Sequence, residues 1–149
     1  LDFIPFIPAS NLVLTALSLE VTTLVAASTM KVGIYTSNSN GTPNALVSNS
    51  NSGDLLGSAL GVVTFTFSGP ITLVAGSLYY LAVHWSSTTA LRAIPVAALL
   101  PLSNNASGTT VNTVARATVT YTSGLPAIAP SITATSSIAP WVRMTLGTQ

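Results

Sequence analysis

The chain contains no cysteine. That removes disulfide scaffolding, thiolate metal sites and cysteine nucleophiles together. Charge is nearly missing too. Only 5% of the 149 residues are charged, against roughly 25% in an average soluble protein. The carboxylates are Asp2, Glu20 and Asp54, and the cations are Lys31, Arg92, Arg116 and Arg143. A net charge of +1 gives no electrostatic footprint for nucleic acid or an anionic membrane. Long apolar runs are also lacking. The longest, Ala93 to Leu102, contains Pro95 and Pro101, whereas a spanning helix needs about 20 mostly apolar residues. No basic segment opens the chain, so no signal peptide is read there. It starts at Leu1 rather than Met, which reads as a processed product or a fragment.

What remains is apolar, 48% of residues with a mean hydropathy of +0.64, finely interleaved with Ser, Thr and Asn. A soluble monomer carries more surface charge than this, so burial between copies in an oligomer or particle is expected. The length suits one domain spanning 1–149.

Period-two patterning dominates. Phe3 to Pro8 reads as an extended edge segment, because Pro5 and Pro8 lack backbone donors. Asn11 to Thr23 places Val13, Leu17, Leu19 and Val21 on one face and Ser18 and Glu20 on the other. A helix competes there through Leu12, Ala16 and Leu19, but the Thr22-Thr23 pair and flanking segments favour a strand. Ala26 to Thr29 turns. Met30, Val32 and Ile34 point inward, with Lys31 and Tyr35 outward, and Gly33 suits a bulge or the close approach of a neighbouring chain. Ser37 to Asp54 is a polar loop with Asn-Gly and Thr-Pro turn chemistry, and Leu55 to Leu60 leads into the next strand. Val63, Phe65 and Phe67 oppose Thr64 and Thr66. Ser68-Gly69-Pro70 and Ala75-Gly76-Ser77 are turns. Tyr79, Leu81, Val83 and Trp85 then oppose Tyr80, Ala82 and His84. Ala90 to Ala93 is short and extended, Ile94 to Leu102 is proline-broken, and Ser103 to Thr110 is a loop. Val111 to Tyr121 alternates, Ala127 to Pro140 is an excursion, and Pro140 to Leu146 is a final strand. With eight to ten strands and no long helix, the fold class is an all-β, single-domain antiparallel β-sandwich of jelly-roll type.

Catalytic chemistry finds few residues to work with. The lone histidine, His84, lies in a strand, where packing is its ordinary role. No Gly-x-Ser-x-Gly elbow exists. Three scattered carboxylates make a poor glycosidase pair within one chain. The polar loop offers many oxygens but only Asp54 as a charge, so a solvated loop is preferred to a calcium site. No enzyme activity, cofactor or metal is expected. Sugar recognition suits the composition better, because it needs an aromatic plate and directional hydrogen bonds. Trp85 reads as core. Outward Tyr35 and Tyr80 supply candidate plates, and Asn38, Asn40 and Asp54 the polar partners. Asn40-Gly41-Thr42 and Asn105-Ala106-Ser107 match the glycosylation sequon, which matters only in a eukaryotic secretory pathway.

Val32-Gly33-Ile34-Tyr35, the loop with Gly41-Thr42-Pro43, and Leu46-Val47 resemble the "VGIY…GxPGxLL" pattern of β-sandwich domains in bacterial secreted proteins and phage virion proteins. Val63-Thr64-Phe65, Ile71 to Gly76 and Tyr79 to Val83 continue it. Ala90-Leu91-Arg92, Gly124 to Pro130 and Ala139 to Met144 resemble the "TPxxRG" step, the "ALPATAP" stretch and the last strand of C-terminal domains of tailed-bacteriophage tail fibres. Asn44 departs from the pattern, which often has Gly there. The resemblance covers nearly the whole chain. It implies a cofactor-free, trimeric virion protein that contacts other virion proteins and a host surface glycan or protein, with neither nucleic acid nor membrane insertion. A capsid decoration or cement protein, and a carbohydrate-binding module of a secreted bacterial protein, are alternatives on the same fold.

Overall fold

The computed structural model describes residues 1–23, 25–56, 59–86, 90–95, 114–122, 124–136 and 138–148. Thirteen strands and no helix occur among them: β1 (Asp2–Phe6), β2 (Leu12–Thr23), β3 (Thr29–Ser37), β4 (Pro43–Leu46), β5 (Leu55–Leu56), β6 (Gly61–Leu73), β7 (Tyr79–Trp85), β8 (Ala90–Leu91), β9 (Ala93–Pro95), β10 (Val114–Arg116), β11 (Ala134–Ser136), β12 (Ile138–Pro140) and β13 (Val142–Leu146). All pairings are antiparallel. A seven-stranded sheet runs β11-β10-β1-β7-β3-β4, with β5 also on β3. A four-stranded sheet runs β13-β2-β6, with β8 on β2, and β12 pairs β9 separately. The fold is an antiparallel β-sandwich. Its sheets of seven, four and two strands are not the two four-stranded sheets of an ideal jelly roll.

The sandwich core lies between the large sheets. Ile4, Val32, Ile34, Leu81 and Val83 from one meet Leu14, Leu17, Leu19, Phe67 and Leu73 from the other. A second core fills the opposite face of the seven-stranded sheet, where Phe3, Tyr35, Tyr80 and Ala115 pack against Leu125. The chain after β10 makes this cover, with Val119, Ala129 and Ile132 contributing. Burial shows the difference between the sheets. β7 is buried at six consecutive positions, as expected for a strand covered on both faces. β6 alternates half-buried and exposed from Gly61 to Thr66, as expected for one wet face.

Close approach shapes this second layer. A Cβ on Gly33 would stand 2.6 Å from Leu125 Cδ1 and 3.1 Å from Leu46 Cδ1. The neighbour anticipated at Gly33 is thus the chain's own return segment.

Several sequence expectations need correction. β1 is not simply an edge. Asp2 and Phe3 pair with both β10 and β7, while Ile4, Pro5 and Phe6 pair with β7 alone. Pro5 is tolerated because, among the described residues, it pairs with β7 alone. On β2, Leu14 and not Val13 is fully buried. The register against β6 jumps between Leu14 and Ala16, from Ile71 to Thr66, and this irregularity changes which positions face inward. Ser68-Gly69-Pro70 is that interruption within β6, not a turn between strands. Lys31 and Tyr35 are buried, not outward. Of the described part of the alternating stretch 111–121, Val114–Arg116 is a strand and 117–121 carries none. The excursion Ala127 to Pro140 contains β11 and β12. Ile94 and Pro95, which open the proline-broken segment, belong to β9; residues 96–113, with the rest of that segment, the second loop and the Asn105 sequon, lie outside the described residues.

Candidate functional site

The two candidate plates come first. Tyr35 and Tyr80 stand opposite one another on β3 and β7. Both flank Phe3 edge-on, with ring centroids 5.2 and 6.4 Å away. They are 0% and 1% exposed, so neither offers a face to a sugar. The Tyr35 hydroxyl donates to the Pro126 carbonyl and the Tyr80 hydroxyl to the Gly41 carbonyl, each at 2.6 Å. Burial raises both phenol pKa values. These tyrosines tie the return segment and the polar loop onto the sheet.

Asn38 organises that loop. Its Oδ1 accepts the Asn40 and Thr42 N–H groups at 3.0 Å each, and its Nδ2 donates to Thr42 Oγ1 at 2.7 Å. Such an Asx arrangement explains why asparagine occupies a turn. Asn40 is exposed at its tip. A groove of about 470 Å³ beside it is lined by Thr36, Ser37, Asn38 and Tyr79, but the Asn38 amide is already committed to the turn.

Asp54 belongs to a different cluster. Lys31 is fully buried on β3, four residues before Tyr35. Its Nζ lies 2.7 Å from Asp54 Oδ1 and 3.2 Å from the Tyr121 ring centroid, and it donates to the Thr122 carbonyl. The Tyr121 hydroxyl donates to Asp54 Oδ1 at 2.8 Å. Hydrogen bonds from Lys31 and then Tyr121 hold the Asp54 carboxyl below its ordinary range. The His84 ring lies 4.9 Å from the Tyr121 ring, tilted by 50°. Burial first, then nearby cations, push its pKa down to about 4. A neutral His, a buried paired Lys and an Asp whose side chain stays 49% exposed make one hydrogen-bonded network.

All three carboxylates are committed in this way. Glu20 pairs with Arg92 through two bonds of 2.8 and 3.2 Å. Asp2 pairs with Arg116 Nε and Nη2 at 2.5 and 2.8 Å. No group of three or more metal-ligating side chains occurs among the described residues.

Arg116 of the Asp2–Arg116 pair lines a further hollow among the described residues, a cleft of about 370 Å³. Trp85, Leu91, Ile138 and Pro140 form apolar walls, and Arg116 and Ser136 add polar edges. Local structure explains each wall. Trp85 is the last inward position of the β7 stripe, where the sheets part, and it is half-buried there. Arg116 ends β10 opposite Asp2. Its bidentate partner is 1% exposed while the guanidinium side chain is 41% exposed, so the carboxylate fixes the plane and leaves an edge facing the cleft. An aromatic plate beside a pre-oriented donor can stack a sugar ring and hydrogen-bond its hydroxyls.

Sequence reasoning did not assemble this group. It placed Trp85 in the core by its stripe. The available signal was Trp85's position at the end of that stripe. The chain matches no known protein family, no curated protein and no solved structure.

Proposed function

We propose that the chain is a receptor-facing virion domain of a tailed bacteriophage, carried on a tail fibre or related appendage and binding a host-surface glycan in the Trp85–Arg116 cleft. The observation that carries this reading is the pairing of an aromatic wall with a guanidinium already fixed by Asp2. The motif resemblance supplies the virion context, its jelly-roll expectation and its extracellular location. Binding at one cleft is weak and gains strength when several copies engage one surface. No covalent step is involved.

The test is tryptophan fluorescence and saturation-transfer NMR with a panel of hexoses and N-acetylhexosamines, then with isolated cell-surface polysaccharide. Saturable binding that Trp85→Ala abolishes and Arg116→Lys weakens supports the reading. Absence of binding to every probe, or binding that both variants leave intact, refutes it. A carbohydrate-binding module of a secreted bacterial protein would use the same cleft as a monomer, and native mass distinguishes the two.

A further inference from the structure

We propose that the edge of β6 over residues 61–67, unpaired among the described residues, is a strand-pairing surface for a second copy of this chain. An unpaired strand edge is a template for another strand, and proteins protect such edges with charge, proline, bulges, brevity or a covering segment. The other edges here carry those devices. β4 is covered by the return segment: Leu46 N–H donates to the Ala127 carbonyl at 2.9 Å and Ala129 N–H to the Asn44 carbonyl at 2.6 Å, with Ala45 bridged to Ile128. β13 carries Arg143 and a register irregularity at Thr145 and Leu146. β11 has three residues.

β6 differs. It runs for 13 residues without a charge and, among the described residues, pairs with β2 alone. Gly69 and Pro70 interrupt its second half, but Gly61-Val62-Val63-Thr64-Phe65-Thr66-Phe67 has no device. Leu60 and Val62 beside it are 63% and 53% exposed.

The occupant follows from the strand's own pattern. Antiparallel pairing of 61–67 with itself about Thr64 sets Val63 opposite Phe65 on the core side, with Val62 opposite Thr66 and Thr64 opposite Thr64 outside. These are β-branched with aromatic pairs and a Thr–Thr pair, both favourable across strands, and no like charges meet. A strand that pairs with itself makes a two-fold dimer, not the trimer implied by the motif resemblance. The inference is independent of glycan binding.

Light scattering behind a sizing column, over a wide dilution series, tests it. The wild-type chain should have twice the 15.2 kDa chain mass and dissociate on dilution. Thr64 is exposed and its hydroxyl lies 2.9 Å from Ser18 Oγ, so Thr64→Lys and Thr64→Glu give up that one bond and should otherwise keep the fold, checked by circular dichroism, with Thr64→Val as the uncharged control that lacks the same bond. Each places like charges across the two-fold and should weaken self-association about tenfold or more, and mixing the variants should restore the dimer. Slow exchange at the amides of 61–67 on the edge away from β2 should appear only in the dimer. A wild-type monomer at every concentration, a trimer, or a dimer unaffected by either variant overturns the proposal, as does failure of the mixed variants to associate.

Discussion

Gly33→Ala tests whether the return segment is packed against the seven-stranded sheet as tightly as the geometry requires. The new methyl would stand 2.6 Å from Leu125 Cδ1, 3.1 Å from Leu46 Cδ1 and 3.3 Å from the Ser50 carbonyl oxygen. The two leucine methyls end flexible side chains, but both belong to the second core, and the Ser50 oxygen is backbone. Overpacking of this kind costs about 1–3 kcal/mol, and alanine offsets part of that by restricting the unfolded chain. The net expectation is a loss of about 1–2 kcal/mol. At about 2–4 °C per kcal/mol for a chain this long, Tm falls by about 2–8 °C. A double-mutant cycle identifies the cause. Leu125→Ala alone opens a cavity and destabilises by about 2–4 kcal/mol. With that side chain gone, Gly33→Ala should become nearly neutral, giving a coupling of about 1 kcal/mol or more. Urea unfolding of all four proteins reads it. Equal cost of Gly33→Ala in both backgrounds, or stabilisation in the wild-type background, would refute the packing.

Acid should weaken the protein through His84. Its folded pKa of about 4 lies below the ordinary 6.5, so the unfolded chain takes up the proton first as pH falls. The His84 contribution is full above about pH 6.5 and is lost toward pH 4, on the order of 3 kcal/mol. Urea midpoints across that window should fall for the wild type and change less for His84→Gln. Matching slopes would contradict the assignment. Ser50→Ala should cost about 1–3 kcal/mol, because the buried Ser50 Oγ accepts the Ile34 N–H at 3.0 Å and donates to the Val47 carbonyl at 2.8 Å. An unchanged urea midpoint would count against that role. Tyr80→Phe should cost about 1 kcal/mol and speed amide exchange at Asn40 and Thr42 by releasing Gly41. Unaltered exchange would show that the loop holds itself.

The sequence made one face of each strand legible and left the other ambiguous. Period two separates Met30, Val32 and Ile34 from Lys31 and Tyr35, and Tyr79, Leu81 and Val83 from Tyr80 and His84. It cannot say that the second set is wet. A segment about 90 residues beyond Tyr35 decides that, with Pro126 accepting the Tyr35 hydroxyl. The hint was compositional, since Tyr80 and Ala82 are themselves apolar or aromatic, as in strands covered on both faces. The candidate site was misread for the same reason. The tyrosines assigned to a ligand are fasteners, and Asn38 and Asp54 satisfy the chain's own groups. At β1, prolines indicated an edge, but they could not show how far a neighbouring strand would reach. The final strand and the β7 stripe needed only local pattern and were read directly.

The position of β1 also sets when this chain can finish folding. Phe3 is hydrogen-bond neighbour to Ala82 on one side and Ala115 on the other, and Leu17 on β2 meets Met144 on β13. The earliest strands must therefore wait for some of the last ones. During synthesis, apolar β1 and β2 are exposed as incomplete sheets until more than a hundred residues follow them. Such distant pairing makes folding slow and leaves a long interval open to misassembly.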